Sequence, residues 1–383
     1  MELGLKSACA CSHTTTLMMG KSQIHQVAWY PLTASCSIAC LDFSGDGLMV
    51  AAGTSESYIR VWSLDGSPLP SLNESEEPSN SRRLIGHSGP VFNVDFSPAI
   101  AKSKESDPGW LYPKFLISCS EDKSVRLWSL EAWSCVVVYK GHDSVVWDVK
   151  WDPFGLYFVT GGMDKTARLW RTDHIGSLRM FVGHDKDVDV VGFHPNGAYV
   201  FTGSSDRTVR MWAVTNGYPV RMFTGHTGVL TSMACSPSGK MLASADDNGT
   251  IILWDLASGK LKKRMRGHGK GGIWSVSWSM ESTVLVSGGM DGTIRIWDVE
   301  LPDPAKENTA ADQGRVIAAG GAGQKMDAGA QPQGLGGTGG KKKGKDVVVT
   351  SDQISAFPTK KSPVYKVRFT GMNLVIAGGA YMP

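Results

Sequence analysis

The sequence predicts an all-β protein assembled from repeated four-stranded antiparallel units, and three observations carry that reading. Gly-His pairs stand at Gly86-His87, Gly141-His142, Gly183-His184, Gly225-His226 and Gly267-His268, with histidine separations of 55, 42, 42 and 42 residues. Hydrophobic segments close on Trp62, Trp128, Trp170, Trp212, Trp254 and Trp297, at spacings of 66, 42, 42, 42 and 43. Two registers locked to one period mark a repeat architecture. Nothing between units is long enough for a crossover helix, so neighbouring strands must run antiparallel.

Each unit reads in the same order. After the Gly-His pair comes an apolar stretch such as Val91 to Phe96, alternating enough for a strand. A turn follows, as in Asp152-Pro153-Phe154-Gly155, His194-Pro195-Asn196-Gly197 and Ser236-Pro237-Ser238-Gly239. Proline presets φ early in such a turn and glycine accepts positive φ at its end. A second strand (Tyr157 to Thr160, Tyr199 to Thr202) leads through a short polar turn to a third ending in Arg-x-Trp, as in Arg168-Leu169-Trp170. A fourth strand (Leu178 to Val182, Pro219 to Thr224) runs to the next Gly-His pair.

Composition narrows the class. The 383 residues are 42% hydrophobic, enough to bury a sizeable core. A net charge of +3 from 39 basic and 36 acidic residues argues against histone-like or acidic-tail behaviour. No run approaches the roughly 18 apolar residues of a membrane span. Residues 1–25 lack an apolar signal-peptide core and are expected to be a disordered lead. Seven cysteines without a C-x-x-C pair suggest reduced thiols, and Cys9 with Cys11 lacks the second pair that a metal site needs.

A hydroxyl stands ten residues before each later tryptophan: Ser118, Thr160, Thr202, Ser244 and Ser287. Six before it stands Asp122, Asp164, Asp206, Asn248 or Asp291. A chain of carboxylate, imidazole, hydroxyl and indole N–H could therefore tie the loops to a strand in every unit. The same residue types suggest a hydrolase triad. An active site occurs once, however, whereas this set is complete four times and recurs a fifth time with Asn248. The expectation is structural tetrads, no catalysis, no cofactor and no metal. His174 and His194 fall outside the register and are expected in turns or at the surface.

These motifs resemble the WD40 family over roughly residues 38–300, with a looser tail. The resemblance implies a β-propeller with a central channel. The first unit departs most: Ala52 and Glu56 occupy the hydroxyl and carboxylate offsets before Trp62, and no Gly-His pair precedes it. Six tryptophans give six units. A seventh is incomplete, with Val364 to Phe369 and Asn373 to Ala377 as its first strands and Gln26 to Thr33 available from the other chain end. The expectation is a seven-bladed propeller over residues 26–383, its four-stranded blades closed into a ring by both chain ends, which leaves no exposed sheet edge at the join. Polar insertions at 67–81 and 99–113 and a Gly- and Lys-rich insertion at 302–346 interrupt it; the last is expected to be disordered. Its Lys341-Lys342-Lys343-Gly344-Lys345 cluster reads either as a nuclear address or nucleic-acid contact, or as a solvated charge run. Gly340-Lys341 does not make a phosphate loop, because Leu335 and Lys342 occupy the positions of the first Gly and the Ser or Thr.

Particular stretches, among them Leu84 to Val91, Ala167 to His174, Thr359 to Tyr365 and Asn373 to Tyr381, resemble the WD40-repeat TBP-associated factors, subunits of the general transcription factor TFIID and of the SAGA coactivator. That resemblance implies a nuclear, non-enzymatic scaffold that docks histone-fold TBP-associated factors and supports initiation by RNA polymerase II. Members carry a LisH motif and a helical domain ahead of the propeller, and nothing of that kind fits residues 1–25. A generic WD40 adaptor, such as a ubiquitin-ligase substrate receptor or ribosome-assembly factor, is the alternative. Direct DNA binding is poorly motivated at a net charge of +3. Candidate partner contacts beyond the Gly-His loops are Phe92, Trp147, Asp187, Asp189, Lys270 and Trp274, with packing between blades as the competing role.

Overall fold

A computed structural model of the chain describes residues 27–32, 38–69, 71, 78–98, 114–269, 271–301, 349–359, 362–370 and 374–380. The expected lead at 1–25, the insertion at 99–113, the stretch 302–346 with its lysine cluster, and Lys270 lie outside the described residues.

Strands β1 to β27, numbered in chain order, form seven sheets among the described residues. Blade one is β2 (Ile38–Phe43), β3 (Met49–Thr54), β4 (Tyr58–Ser63) and β5 (Ser81–Ile85). Blade two is β6 (Val91–Phe96), β7 (Phe115–Ser120), β8 (Ser124–Ser129) and β9 (Ser134–Lys140). Blade three is β10 (Val146–Trp151), β11 (Tyr157–Gly162), β12 (Thr166–Arg171) and β13 (His174–Val182). Blade four is β14 (Val188–Phe193), β15 (Tyr199–Ser204), β16 (Thr208–Ala213) and β17 (Pro219–Thr224). Blade five is β18 (Leu230–Cys235), β19 (Met241–Asp246), β20 (Thr250–Asp255) and β21 (Leu261–Arg266). Blade six is β22 (Ile273–Trp278), β23 (Val284–Gly289), β24 (Thr293–Asp298) and β25 (Gln353–Pro358). All the pairings within these six blades are antiparallel, as short hairpin connections require. The turns behave as their residues dictate: Gly155, Gly197 and Gly239 take φ of 72°, 70° and 68°.

The expectation of seven four-stranded antiparallel blades is corrected: the described residues form six. The remaining sheet has three strands in the order β1 (Val27–Leu32), β27 (Val375–Ala380), β26 (Lys366–Phe369). Its β1 runs parallel to β27, pairing Val27 with Val375 and Leu32 with Ala380. The tail supplies only two strands. The third comes from the opposite end of the chain, where no hairpin fixes its direction. The inner strands contact one another in the order β2, β6, β10, β14, β18, β22, β26 and back to β2.

The core lies between sheets rather than within one. Ala51, Ile59, Val61 and Leu84 of blade one pack against Val91, Val94, Leu116 and Trp128 of blade two. Val286 and Ile294 of blade six meet Val364, Val367 and Val375 beside the three-stranded sheet, while Ile376 packs on Phe43 and Val50. Trp128, Trp170, Trp212 and Trp297 are fully buried. Large apolar side chains contribute about 1.5–3 kcal/mol each on burial, so these seams carry much of the stability.

Polar side chains of the inner strands add a second tie at six of the seven seams between sheets. Asp42 accepts from the Phe96 N–H (3.3 Å), Asp95 from Trp151 (2.8 Å) and Asp148 from Val191 (2.7 Å). Ser232 accepts from Val276 (3.2 Å), and Ser275 and Ser277 accept from Val367 (3.1 Å) and Phe369 (3.0 Å). Lys366 then returns to Asp42 at 2.9 Å, and Arg368 donates to the Phe43 carbonyl. Around the rim, Arg179 reaches the Thr215 carbonyl (3.2 Å) and Arg221 that of Ala257 (2.8 Å). One period further on, Lys263 reaches the carbonyls of Asp298 (2.9 Å) and Leu301 (2.8 Å).

Candidate functional site

The recurrent His, Ser/Thr, Asp and Trp meet in space. In blade two, His87 Nδ1 lies 2.9 Å from Asp122, its Nε2 2.8 Å from Ser118 Oγ, and the Trp128 indole donates to that same oxygen at 2.8 Å. Blade three repeats this with His142, Asp164, Thr160 and Trp170, at 2.8, 2.7 and 2.9 Å. Blade four uses His184, Asp206, Thr202 and Trp212, at 2.8, 2.7 and 2.8 Å. Blade six uses His268, Asp291, Ser287 and Trp297, with 3.1, 2.6 and 2.8 Å. The hydroxyl accepts from the indole, so it donates to Nε2, and Nδ1–H then donates to the carboxylate.

These imidazoles are buried and each stands in a separate sheet. Burial alone would raise the Asp122, Asp164, Asp206 and Asp291 carboxyls, but the histidine and the neighbouring hydroxyl and N–H donors outweigh it and hold all four below the usual range, Asp206 at about 2. Burial depresses His184 and His268, which favours their neutral form. Ser118, Thr160, Thr202 and Ser287 are themselves fully buried, so each chain of hydrogen bonds ties loops to strands inside its blade.

Blade five departs from the expected set. His226 Nδ1 is held by Asp246 at 3.0 Å, not by Asn248, whose amide reaches Thr227 Oγ1 at 3.4 Å. Ser244 and Trp254 complete the chain at 2.6 and 2.8 Å. The physical reason lies in the neighbouring blades. The position equivalent to Asp246 is Gly162 in blade three and Gly289 in blade six, and a Cβ built there would lie 2.9 Å from the histidine Nδ1 in each. That site already faces the imidazole, so a carboxylate placed on it needs no turn residue. Blade one, with Ala52, Glu56 and Trp62, has no histidine, and there Arg60 stacks over Trp62 at 5.3 Å.

Of the candidate contacts, Phe92, Trp147, Asp189 and Trp274 come together at the inner strands around the central channel. In each of the six blades the pairing of the inner strand slips at its second residue, which places Ala39, Phe92, Trp147, Asp189, Thr231 and Trp274 at equivalent bulges. A bulge re-aims the side chain that it carries. These residues, with Tyr365, line a cavity of about 430 Å³. Phe92 packs on Trp147 with ring centroids 4.8 Å apart, and Trp274 on Tyr365 at 4.9 Å. The Trp147 indole donates to Asp187 at 3.3 Å, while Asp189 accepts from Ser205 at 2.7 Å. Burial, with Asp187 adding to it, raises the Asp189 carboxyl to about 6. The aromatic pairs thus pack between neighbouring sheets.

Deeper in the channel lie residues that the sequence reading passed over. Lys150 sits 3.1 Å from Asp95. Burial would lower the Lys150 ammonium, but Asp95, Asp148 and Asp42 outweigh it and raise it. The signal was present as single carboxylates inside otherwise apolar strands, as in Val94-Asp95-Phe96. Of the two histidines outside the register, His174 is exposed and His194 Nε2 lies 3.0 Å from the Gly239 carbonyl of the next blade. Among the described residues no cluster of three metal-ligating side chains occurs.

Repeated antiparallel sheets tied by His–Ser/Thr–Asp–Trp chains define a WD-repeat β-propeller. The chain belongs to the propeller family described as IFT122 first beta-propeller, whose model matches residues 113–318, more than half of its length; residues 24–63 match the WD domain, G-beta repeat. It is similar to the SAGA complex/transcription factor TFIID complex subunit Taf5 of Schizosaccharomyces pombe, 44% identical over 26% of this chain and 14% of that protein. It is likewise similar to transcription initiation factor TFIID subunit 5 of Drosophila melanogaster, 40% identical over 32% of this chain and 19% of that protein. Protein HIRA of Dictyostelium discoideum is 32% identical over 32% of this chain and 11% of its own length. The chain therefore spans less than a fifth of each of these relatives.

Proposed function

We propose that this propeller is a nuclear, non-enzymatic scaffold of the general transcription machinery, docking histone-fold TBP-associated factors within TFIID and SAGA and so supporting initiation by RNA polymerase II. The observation that carries the reading is the recurrence of TFIID subunit 5 among its relatives, at 36% to 44% identity in S. pombe, D. melanogaster, Encephalitozoon cuniculi and Arabidopsis thaliana. The geometry supports it: a ring of sheets fixed by buried polar ties presents loops on two faces without refolding on contact. The channel mouth offers Phe92, Trp147 and Trp274 as anchors beside Asp187 and Asp189, the residue types that dominate interface energetics when centrally placed.

Affinity purification of the full-length native product followed by mass spectrometry tests this. Recovery of histone-fold subunits supports the reading. Cullin adaptors or pre-ribosomal particles in their place would assign the chain to the generic adaptors instead.

A further inference from the structure

The cavity of about 430 Å³ where the inner strands begin, just past the Gly-His loops, has two unlike walls. One wall carries charge. Phe92 packs on Trp147, the Trp147 indole donates to Asp187 at 3.3 Å, and Asp189 stands on the next inner strand, where it accepts from Ser205 at 2.7 Å. Among the described residues neither Asp187 nor Asp189 makes an ion pair with a lysine or arginine. Lys186, beside Asp187 in the chain, is exposed, while Lys150 and Lys366 of the channel are engaged by Asp95 (3.1 Å) and Asp42 (2.9 Å). Burial and Asp187 together hold the Asp189 carboxyl at about 6, with no cation to offset them. An opposite charge brought within a few ångströms favours the ionised form of such a group.

The other wall is neutral. Trp274 packs on Tyr365, and neither the Trp274 indole N–H nor the Tyr365 hydroxyl has a hydrogen-bond partner among the described residues. Both are the kind of polar handle on an aromatic ring that finds a partner once water is excluded. The opposite end of the channel is built differently. Its cavity of about 420 Å³ is lined by Pro98, Pro153, Pro195 and Pro237. The carboxylates there are engaged: Asp95 by Lys150, and Asp152 by the N–H groups of Leu156 (2.8 Å) and Tyr157 (2.9 Å). Aromatic faces, carboxylates without a counter-charge and free donors therefore coincide at one end of the channel.

We infer that this mouth binds an arginine side chain on an extended segment of a protein partner, its guanidinium on Trp147 and against Asp187 and Asp189, its main-chain carbonyls on the Trp274 N–H and the Tyr365 hydroxyl. The inference rests on the reading of the propeller as a protein-docking scaffold and names the chemistry of its guest. Arginine fits better than lysine. A planar guanidinium stacks on an aromatic face while its fork of donors reaches carboxylates, and it is less strongly hydrated than an ammonium. Calcium fits less well, because it takes about six to eight oxygen ligands and the described residues hold no cluster of three metal-ligating side chains. Nucleic acid fits less well, because phosphates would meet uncompensated carboxylates.

The test uses the full 383-residue chain and a fluorescein-labelled heptapeptide with one central arginine among Gly, Ser and Ala, read by anisotropy. Control peptides carry citrulline, the neutral isostere, or lysine at the centre. Asp189→Asn removes one carboxylate from the mouth, and Asp187→Asn serves if the first lowers the melting temperature. Asp173→Asn removes an exposed carboxylate at the turn between β12 and β13 and controls for overall charge. Expected is saturable binding of the arginine peptide, weakened by about tenfold or more by citrulline and by the Asn variant at the mouth, weaker with lysine, and unchanged by Asp173→Asn. No binding, equal binding of the citrulline or lysine peptide, retention in both mouth variants, or equal loss in Asp173→Asn would each overturn the inference. Absence of peptide binding with histone-fold subunits still recovered from the native protein would sink this inference alone. Arginine-dependent binding without those subunits would support it and sink the transcription reading alone.

Discussion

Asp246 Oδ2 stands 3.0 Å from His226 Nδ1, so the carboxylate of the fifth tetrad enters from the end of β19 and not from the turn that supplies it in blades two, three, four and six. Its second oxygen accepts from the Thr250 N–H at 2.8 Å, the role that the turn aspartates give to a residue two positions on. Arginine is moved in the same blade. Ile252 stands where Arg126, Arg168 and Arg210 stand elsewhere, and its cross-strand partner Arg264 reaches the Gly225 carbonyl at 3.1 Å. Blade five therefore builds the same ties from different strand positions.

The first prediction follows from that exchange. Asp246→Ala leaves the buried His226 N–H without its acceptor and is expected to destabilise the fold by about 1–3 kcal/mol. Asn248→Ala removes one exposed contact and should stay within about 0.5 kcal/mol. Urea unfolding of both variants separates them. Asp246→Gly combined with Asn248→Asp, which restores the arrangement of blade three, should recover most of the loss.

Acid should weaken the tetrads in a definite window. Asp122, Asp164, Asp206 and Asp291 are held below the ordinary carboxylate range, so the unfolded chain binds more protons in acid. Their stabilisation is complete above the unfolded value of about 3.9 and is lost as pH falls through the folded values, about 2 for Asp206. The depressed His184 and His268 act in the same sense, beginning below about 6.5. Asp189 runs the other way: with its carboxyl raised to about 6, its contribution is favourable at low pH and is lost as pH rises through about 6. Asp189→Asn should accordingly raise the melting temperature at pH 7.5, and the difference should close below about pH 4. A gap that widened in acid would contradict this assignment.

Trp147→Ala tests the channel mouth. The ring contacts Phe92 and donates to Asp187, both at the opening. Truncation of an aromatic anchor characteristically costs 2 kcal/mol or more of binding, so capture of the native partner should fall roughly 30-fold while the fold survives. Parallel loss of both assigns Trp147 to packing between blades.

Removing residues 362–383 tests how the ring is held at the chain ends. The deletion strips the acceptors Ser275 and Ser277 of their donors, Asp42 of Lys366, and the apolar residues of blade six of Val364, Val367 and Val375. The melting temperature is expected to drop sharply; an unchanged midpoint would show that the six blades hold without that sheet.

Most of the repeat could be read from the sequence because its markers are short-range. A Gly-His pair, a Pro-x-Gly turn and an Arg-x-Trp ending lie within one unit, and hairpin pairing is set locally. The hydroxyl and tryptophan of each tetrad were legible for the same reason, since they lie diagonally across one hairpin on the same face, Ser118 pairing with Arg126 and Trp128 with Leu116. Asp246 was not, because a fixed offset from tryptophan cannot show that a strand-end carboxylate reaches the same imidazole as a turn carboxylate. The channel carboxylates Asp42, Asp95 and Asp148 escaped notice because each finds its partner in the next blade, 43 to 56 residues away.

The chain by itself determined the four-stranded unit, the number of tryptophan-closed repeats and the residues of four tetrads. Those follow from turn stereochemistry and from alternation of apolar residues, which act within a unit. Only the tertiary structure decided how the circle is finished. The tail meets β1 in a mixed three-stranded sheet, with β1 parallel to β27, instead of a further four-stranded blade, because strands brought together from opposite chain ends obey the packing between sheets and not the geometry of a hairpin.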